Sequence, residues 1–412
     1  MKTRNLLSLF VVICLMFPLL SSCKKPDNLP TKPVPIDLTV KQAYVVTSAN
    51  TFAFDMFNQI LSAKSNANML FSPLSISYAL SMSVNGAANS TRDSIIKALR
   101  VEGITVDDLN RSYKDLTDAL LKVDSRVIMD IANSVWTEKN FNVKEAFVKT
   151  LIDYYYAETG SFDINDPNAI TPINKWISDH TNGLIKDMID KLNSNDVMLL
   201  INAIYFKGKW QSQFDTRLTT ARTFTHPDGS SADVPTMHQK ESLKFYYGNG
   251  FNMAELPYGQ GNYVMDIILP YQNDLSSVES SLTAEHLASW TGSMINRKVD
   301  LYLPRFKYGF KLDLNDILSS LGMGIAFGEL ADFSNASDIQ LYISRVIHQA
   351  TIETNEEGSE AAAATVITFG ATSINPNDPV IFDVDHQFIY LIREVSTSSI
   401  LFMGKVTDPL AN

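Results

Sequence analysis

Residues Glu356 to Phe369 constrain what this chain can fold into more than any other stretch. They read Glu356-Glu357-Gly358-Ser359-Glu360-Ala361-Ala362-Ala363-Ala364-Thr365-Val366-Ile367-Thr368-Phe369. The four alanines stand without the i, i+3, i+4 apolar stripe that marks a helix. The run then passes straight into β-branched and aromatic strand material. Taken alternately, Ser359, Ala361, Ala363, Thr365, Ile367 and Phe369 share one face of a strand. Glu360, Ala362, Ala364, Val366 and Thr368 share the other. This loop can therefore become a strand whose inward face is small at first and large later. The competing reading is a flexible surface loop with a chance alanine run.

Bulk properties narrow the function classes. With 412 residues the chain is within reach of a single large mixed domain. A net charge of −11 argues against a nucleic-acid partner. Past the first ~20 residues nothing is long and apolar enough to span a membrane. The six histidines are scattered, so neither a metal site nor a cofactor is expected.

The beginning of the chain reads as a targeting segment. Lys2 and Arg4 precede an apolar run from Leu6 to Leu20, and Leu20-Ser21-Ser22-Cys23 closes it. This ending resembles a bacterial lipobox, in which cleavage before a cysteine leaves a lipid-bearing sulfur; the alternative is an ordinary secretory signal cut near Ser22. Cys14 and Cys23 are the two cysteines, so the processed chain is expected to carry neither a free thiol nor a disulfide. Pro26, Pro30, Pro33 and Pro35 then suggest a stiff tether. The expected organisation is a signal peptide over 1–22, an anchor and tether over 23–42, and one domain over 43–412.

Helical patterns dominate the first half of that domain. Ala53, Met56, Phe57, Ile60 and Leu61 share a face of a helix running from about Thr47. Ser72-Pro73 is a helix start, and Asn85-Gly86 its end. Further helices are expected near Ser90–Leu99, Val106–Lys122, Lys144–Tyr155 and Ala169–Thr181. Strands are expected near Val197–Phe206, Asn252–Leu256, Tyr263–Leu269, Val299–Leu303, Leu341–Thr354 and Phe388–Glu394, with one helix between them near Leu312–Leu321. Helices first and strands later indicate an α+β fold.

Four motifs, in order, resemble those of the serpin family. They are Asn68-Met69-Leu70-Phe71-Ser72-Pro73-Leu74-Ser75-Ile76, Asn202-Ala203-Ile204-Tyr205-Phe206-Lys207-Gly208-Lys209-Trp210, the stretch from Glu356, and Leu401-Phe402-Met403-Gly404-Lys405-Val406 with Asp408-Pro409. The resemblance spans about Ala43 to Pro409. It implies three β-sheets, about nine helices and an exposed reactive loop over about 358–382. It also implies a single-use inhibitor of serine proteases rather than an enzyme, acting as a monomer. The target protease cuts the loop and forms an acyl-enzyme; the loop then inserts into the main sheet as a new strand and distorts the protease.

The resemblance also assigns roles. Glu356, Glu357, Gly358, Ser359, Glu360, Ala361, Ala362, Ala363 and Ala364 form the hinge that enters the sheet first. A charge or proline on its inward face would obstruct insertion. Ser72, Ser75, Asn202 and His348 resemble a polar cluster where the strands part, although His348 alone also reads as a satisfied core histidine. Arg305 matches a basic position that pairs with Glu356, and Trp210 an aromatic where the loop enters. Counting 17 residues inclusively from Glu356 reaches Thr372, so the reactive bond falls at Thr372–Ser373. The stretch from there to Phe388 is about four residues longer than in common members, which leaves the register open. A small residue at that position fits elastase-like targets, and a cysteine protease remains an alternative target. The anchor places the protein at a bacterial cell envelope, on the outer membrane or outside the cell, with the membrane reached through the lipid alone.

Two other readings compete. One is a serpin fold that binds without inhibiting, which tends to carry bulky or charged residues where this chain has Ala361 to Ala364. The other is a penicillin-recognising serine enzyme, suggested by Ser94-Ile95-Ile96-Lys97, but no S-D-N or K-T-G follows.

Overall fold

Local signals set the helices. Ser72 caps the helix Pro73–Gly86 by accepting the Ser75 N–H at Oγ, with Pro73 in the first turn. Thr105 caps the helix Val106–Lys122 in the same way by accepting the Asp108 N–H. The computed structural model describes residues 33–63, 67–359 and 379–411. Among them are the helices α1 (Val40–Ala63), α2 (Pro73–Gly86), α3 (Asn89–Ala98), α4 (Val106–Lys122), α5 (Glu145–Tyr155), α6 (Ile170–His180), α7 (Ser276–Ser281), α8 (Ala284–Gly292) and α9 (Asn315–Leu318). The strands are β1 (Met69–Phe71), β2 (Val127–Glu138), β3 (Glu158–Phe162), β4 (Met198–Gly208), β5 (Thr220–Thr225), β6 (Ser231–Tyr247), β7 (Phe251–Pro257), β8 (Tyr263–Pro270), β9 (Ile295–Pro304), β10 (Phe306–Asp313), β11 (Ile347–Asn355), β12 (Gly358–Ser359), β13 (Val380–Asp383), β14 (Phe388–Glu394) and β15 (Ile400–Val406).

The fold is the α+β arrangement the resemblance implies. Among the described residues the strands form three sheets. Nine strands make one of them, in the order β1-β15-β14-β8-β7-β6-β9-β13 with β5 on β6. The other two have three strands each, β3-β2-β4 and β10-β11-β12. They meet through a bridge between Lys209 and Gly358. Otherwise no ladder joins β4 to β11 among the described residues, and we call the line between them the seam. The main core buries Phe52, Phe57, Phe71 and Tyr78 with the nine-stranded sheet. A second cluster puts Ile173, Trp176 and Ile177 of α6 on Ala132, Ile201 and Ala203 of β2 and β4.

Both ends of the loop expected over about 358–382 are strand, because Gly358 and Ser359 pair with Asn355 and Thr354, and Val380–Asp383 pairs with Val299–Tyr302. Other boundaries differ too. Residues before Ala43 are not all tether: Ile36 N–H donates to Ser396 Oγ at 2.9 Å and Asn262 Nδ2 donates to Val34 O at 2.7 Å. Ile36 and Leu38 pack on the core, so the folded body reaches back before Val40, where α1 begins. Leu312 and Asp313 end β10, because their backbones pair with His348 and Ile347; the helix therefore starts at Asn315 and continues as a π turn through Met323. The strand expected over Leu341–Thr354 begins at Ile347. Residues 341–346 are irregular because Asn315 and Ala326 take their backbone groups.

Candidate functional site

At the upper end of the seam lies the start of the segment expected to serve as a hinge. After β11 the chain turns at Glu356–Glu357, and Gly358 and Ser359 pair back on Asn355 and Thr354. Gly358 has φ +150°, and a Cβ there would lie 2.0 Å from Gly208 O. Only glycine fits this close backbone approach. The Trp210 backbone N–H donates to Glu357 O at 2.6 Å, and Phe214 N–H to Glu356 O at 2.9 Å. Trp210 Nε1 donates to Asn355 O at 2.8 Å. Its ring stacks on Tyr258 with centroids 4.3 Å apart, and the Tyr258 and Ser359 hydroxyls lie 3.0 Å apart.

The two hinge acids stand in different environments. Arg305 Nε reaches both oxygens of Glu356 at 2.9 Å, and the Thr219 hydroxyl also donates to it. Burial would raise the Glu356 pKa, but Arg305 and Thr219 outweigh it and hold the carboxyl below its ordinary range. Arg305 is 44% exposed, so solvent screens much of this pair's value. Glu357 is buried, its carboxylate lacks a hydrogen bond among the described residues, and Lys209 Nζ lies 3.7 Å away.

Lower along the seam the polar cluster divides into two halves. On the β11 side, Ser72 N–H donates to His348 Nε2 at 3.0 Å, and Ser75 N–H donates to Ser72 Oγ at 3.1 Å. Nε2 is thus an acceptor, which puts the imidazole proton on Nδ1. Burial lowers the His348 pKa to about 4. On the β4 side, Asn202 Nδ2 donates to Asn133 Oδ1 at 2.8 Å, and Asn133 Nδ2 to Tyr155 O at 2.7 Å. Asn202 therefore bonds within its own half. Between the halves lies a cavity of about 130 Å³, lined by Ser75, Asn202 and His348 with Leu80, Leu192 and Leu341. A smaller void of about 30 Å³ continues upward between Ile204 and Ile352 to Ser359.

The structure thus brings Arg305, Trp210, Glu356, Glu357, Gly358 and Ser359 together at the top of the seam, and Ser72, Ser75, Asn202 and His348 around its middle. Glu360, Ala361, Ala362, Ala363, Ala364, Thr372, Ser373 and Cys23 lie outside the described residues. Three site residues escaped the sequence reading. Asn133 sits on β2, a strand without clean alternation because Asn133 and Ser134 are buried beside apolar neighbours. Tyr258 and Thr219 touch the hinge from loops far away in the chain, and no local pattern marks them. Ser94, by contrast, donates to the Thr91 carbonyl within α3 at 2.7 Å, a helix-internal bond and not a base-activated hydroxyl.

Comparison with known proteins agrees with this geometry. The family model described as Serpin (serine protease inhibitor) matches residues 47–409. Neuroserpin of Gallus gallus is 36% identical over 373 residues, covering 87% of this chain and 90% of its own. Leukocyte elastase inhibitor of Sus scrofa is 34% identical, covering 88% of this chain and 99% of its own. The crystal structure of human thyroxine-binding globulin superposes with a TM-score of 0.82 at 29% identity, covering 90% of this chain and all of that one. Three sheets among the described residues, Gly358–Ser359 paired on β11 and relatedness along nearly the whole domain lead to one conclusion: the chain belongs to the serpin family.

Proposed function

We propose that this protein is a single-use inhibitor of serine proteases with elastase-like specificity, and that its reactive bond is Thr372–Ser373. The observation that carries the reading is the pairing of Gly358 and Ser359 on β11, above a line along which no ladder joins β4 to β11 among the described residues. The strand that would follow presents Ser359, Ala361 and Ala363 inward, none of them bulky or charged. Loop cleavage frees that strand to continue downward. Burying Ile367 and Phe369 alone contributes on the order of 3–6 kcal/mol, beside the new ladder bonds. The protease, still esterified to Thr372, is carried along before water can release it. Cys23, as a lipid-bearing residue, would hold the inhibitor at a bacterial envelope.

The family consists mostly of protease inhibitors, and thyroxine-binding globulin is a member named for a small ligand. The two uses are separated by one experiment. The protein is mixed with pancreatic elastase and resolved on a denaturing gel. Trapping gives a covalent adduct and a C-terminal peptide beginning at Ser373. Cleavage without adduct, or no cleavage at all, would rule out inhibition of this protease class and favour a binding role.

A further inference from the structure

Residues 341–346 are strand-like in sequence but irregular in the fold, and their two edges differ. Toward the end of β10, Leu314 N–H donates to Val346 O at 2.8 Å, and Ile343 N–H to Ala326 O at 2.9 Å. The Asn315 side chain completes this edge. Its Nδ2 donates to Ser344 O at 2.8 Å, and its Oδ1 accepts Val346 N–H at 2.8 Å. One planar amide stands in for the ladder partner that a longer β10 would supply. The opposite edge looks across the cavity of about 130 Å³ toward Met198–Asn202 of β4.

Side chains tie this segment to a strap that crosses the seam. Residues 181–197 follow α6, and their Ile185, Met188 and Ile189 pack on Ile201 and Ala203 of the β4 half. From the other half, Ser344 Oγ donates to Asp196 at 2.6 Å, and Arg345 reaches Asp190 and Asp313 at 3.2 Å each. A strand entering the seam must pass beneath this strap.

We infer that Asn315 is a positioning residue for loop insertion, holding residues 344–346 as a dormant strand edge that becomes the lower part of β11 when the loop enters. The inference rests on the trapping function proposed above. Insertion is a race against acyl-enzyme hydrolysis. An edge whose far side is already bonded costs less backbone freedom to recruit at that moment. Asn315 touches neither the protease nor the reactive bond. It acts through the Ser344 and Val346 backbones.

Two measurements test this. Asn315→Leu removes both amide bonds at nearly constant volume. Two hydrogen bonds of ordinary net strength shift the partition between trapping and release by up to about thirtyfold. The number of inhibitor molecules consumed per elastase trapped should rise, while the rate at which elastase first cuts the loop stays at the parent value. Asn315→Asp keeps the acceptor and should fall between the two. A purely structural role would lower the melting temperature without changing the consumption ratio, and that result overturns the inference. Independently, hydrogen exchange on the full parent chain should show the Arg345 amide poorly protected before loop cleavage and protected after it. Equal exchange in both states in a parent that does trap elastase also overturns it. A parent that traps no elastase refutes the proposed function instead, and the exchange comparison on the cut chain still reads whether the edge is recruited.

Discussion

His348 gives the sharpest physical test of the seam. It is 5% exposed, and its Nε2 accepts the Ser72 N–H, so protonation would break that bond and place a cation beside the apolar cavity. Burial lowers its pKa from 6.5 to about 4. The unfolded chain therefore takes up a proton at a higher pH than the folded one. His348 contributes stability that is complete above the unfolded value and is lost as pH falls through the window between 6.5 and about 4. At 1.36 kcal/mol per unit the full loss is about 3 kcal/mol, and about 2 kcal/mol of it has been lost by pH 5. For a domain of this size about 2 kcal/mol lowers the melting temperature by roughly 2–3 °C. His348→Gln keeps an acceptor for Ser72 but does not titrate. Thermal melts of both proteins at pH 8 and pH 5, at one scan rate, cancel the other titrating groups. The parent should lose roughly 2–3 °C more than the variant between the two pH values. Parallel losses would refute the argument, because they would mean that His348 is not held neutral by the fold.

The remaining predictions address the hinge, the reactive bond and the anchor. Trp210→Ala removes the Tyr258 stack and the bond to Asn355 O; it should destabilise the uncut protein by about 3–5 kcal/mol in denaturant titrations and loosen Gly358–Ser359, seen as faster amide exchange there. Ala363→Arg places a long cation on the inward face of the entering strand, so elastase should cut the loop at the parent rate while little adduct survives on a denaturing gel; undiminished adduct would show the assigned face to be wrong. Thr372→Arg should move inhibition from elastase-like to trypsin-like proteases, read from adduct formed with each. Cys23→Ala should release the protein from the membrane fraction or block its processing without changing its inhibition rate, and unchanged membrane fractionation would favour plain secretion.

The elements read best from sequence are those whose signal is local. Val106–Lys122 and Phe388–Glu394 match the observed helix and strand at both ends. A cap and an amphipathic stripe define the first, and a continuous apolar run the second. β6 was missed although it spans Ser231–Tyr247. Its outer face carries Lys240, Ser242 and Lys244, which have weak strand propensity, and it is strand because β5, β7 and β9 pair with it. β10 carries a clean alternation of Phe306, Tyr308 and Phe310 inward, a period that sequence alone can show. Residues 341–346 fail the other way: their strand pattern is real, but Asn315 and Ala326 take the backbone groups that a ladder would use.

By itself the sequence determined the helix starts at Ser72 and Thr105, the alternation of small residues at Ser359, Ala361 and Ala363, and the chemical types at Glu356, Arg305 and His348. These depend on residue chemistry and short-range periodicity, which a linear chain already contains. Tertiary structure alone decided that, among the described residues, the central strands stand as two three-stranded sheets, and that the polar cluster divides between them. It also decided that Tyr258 holds Ser359, across 101 positions, and that Asn315 completes the edge at Ser344, 29 positions away. These contacts satisfy backbone and hydroxyl groups whose partners are chosen by how distant segments come to lie side by side, and the local pattern around either residue carries no trace of that choice.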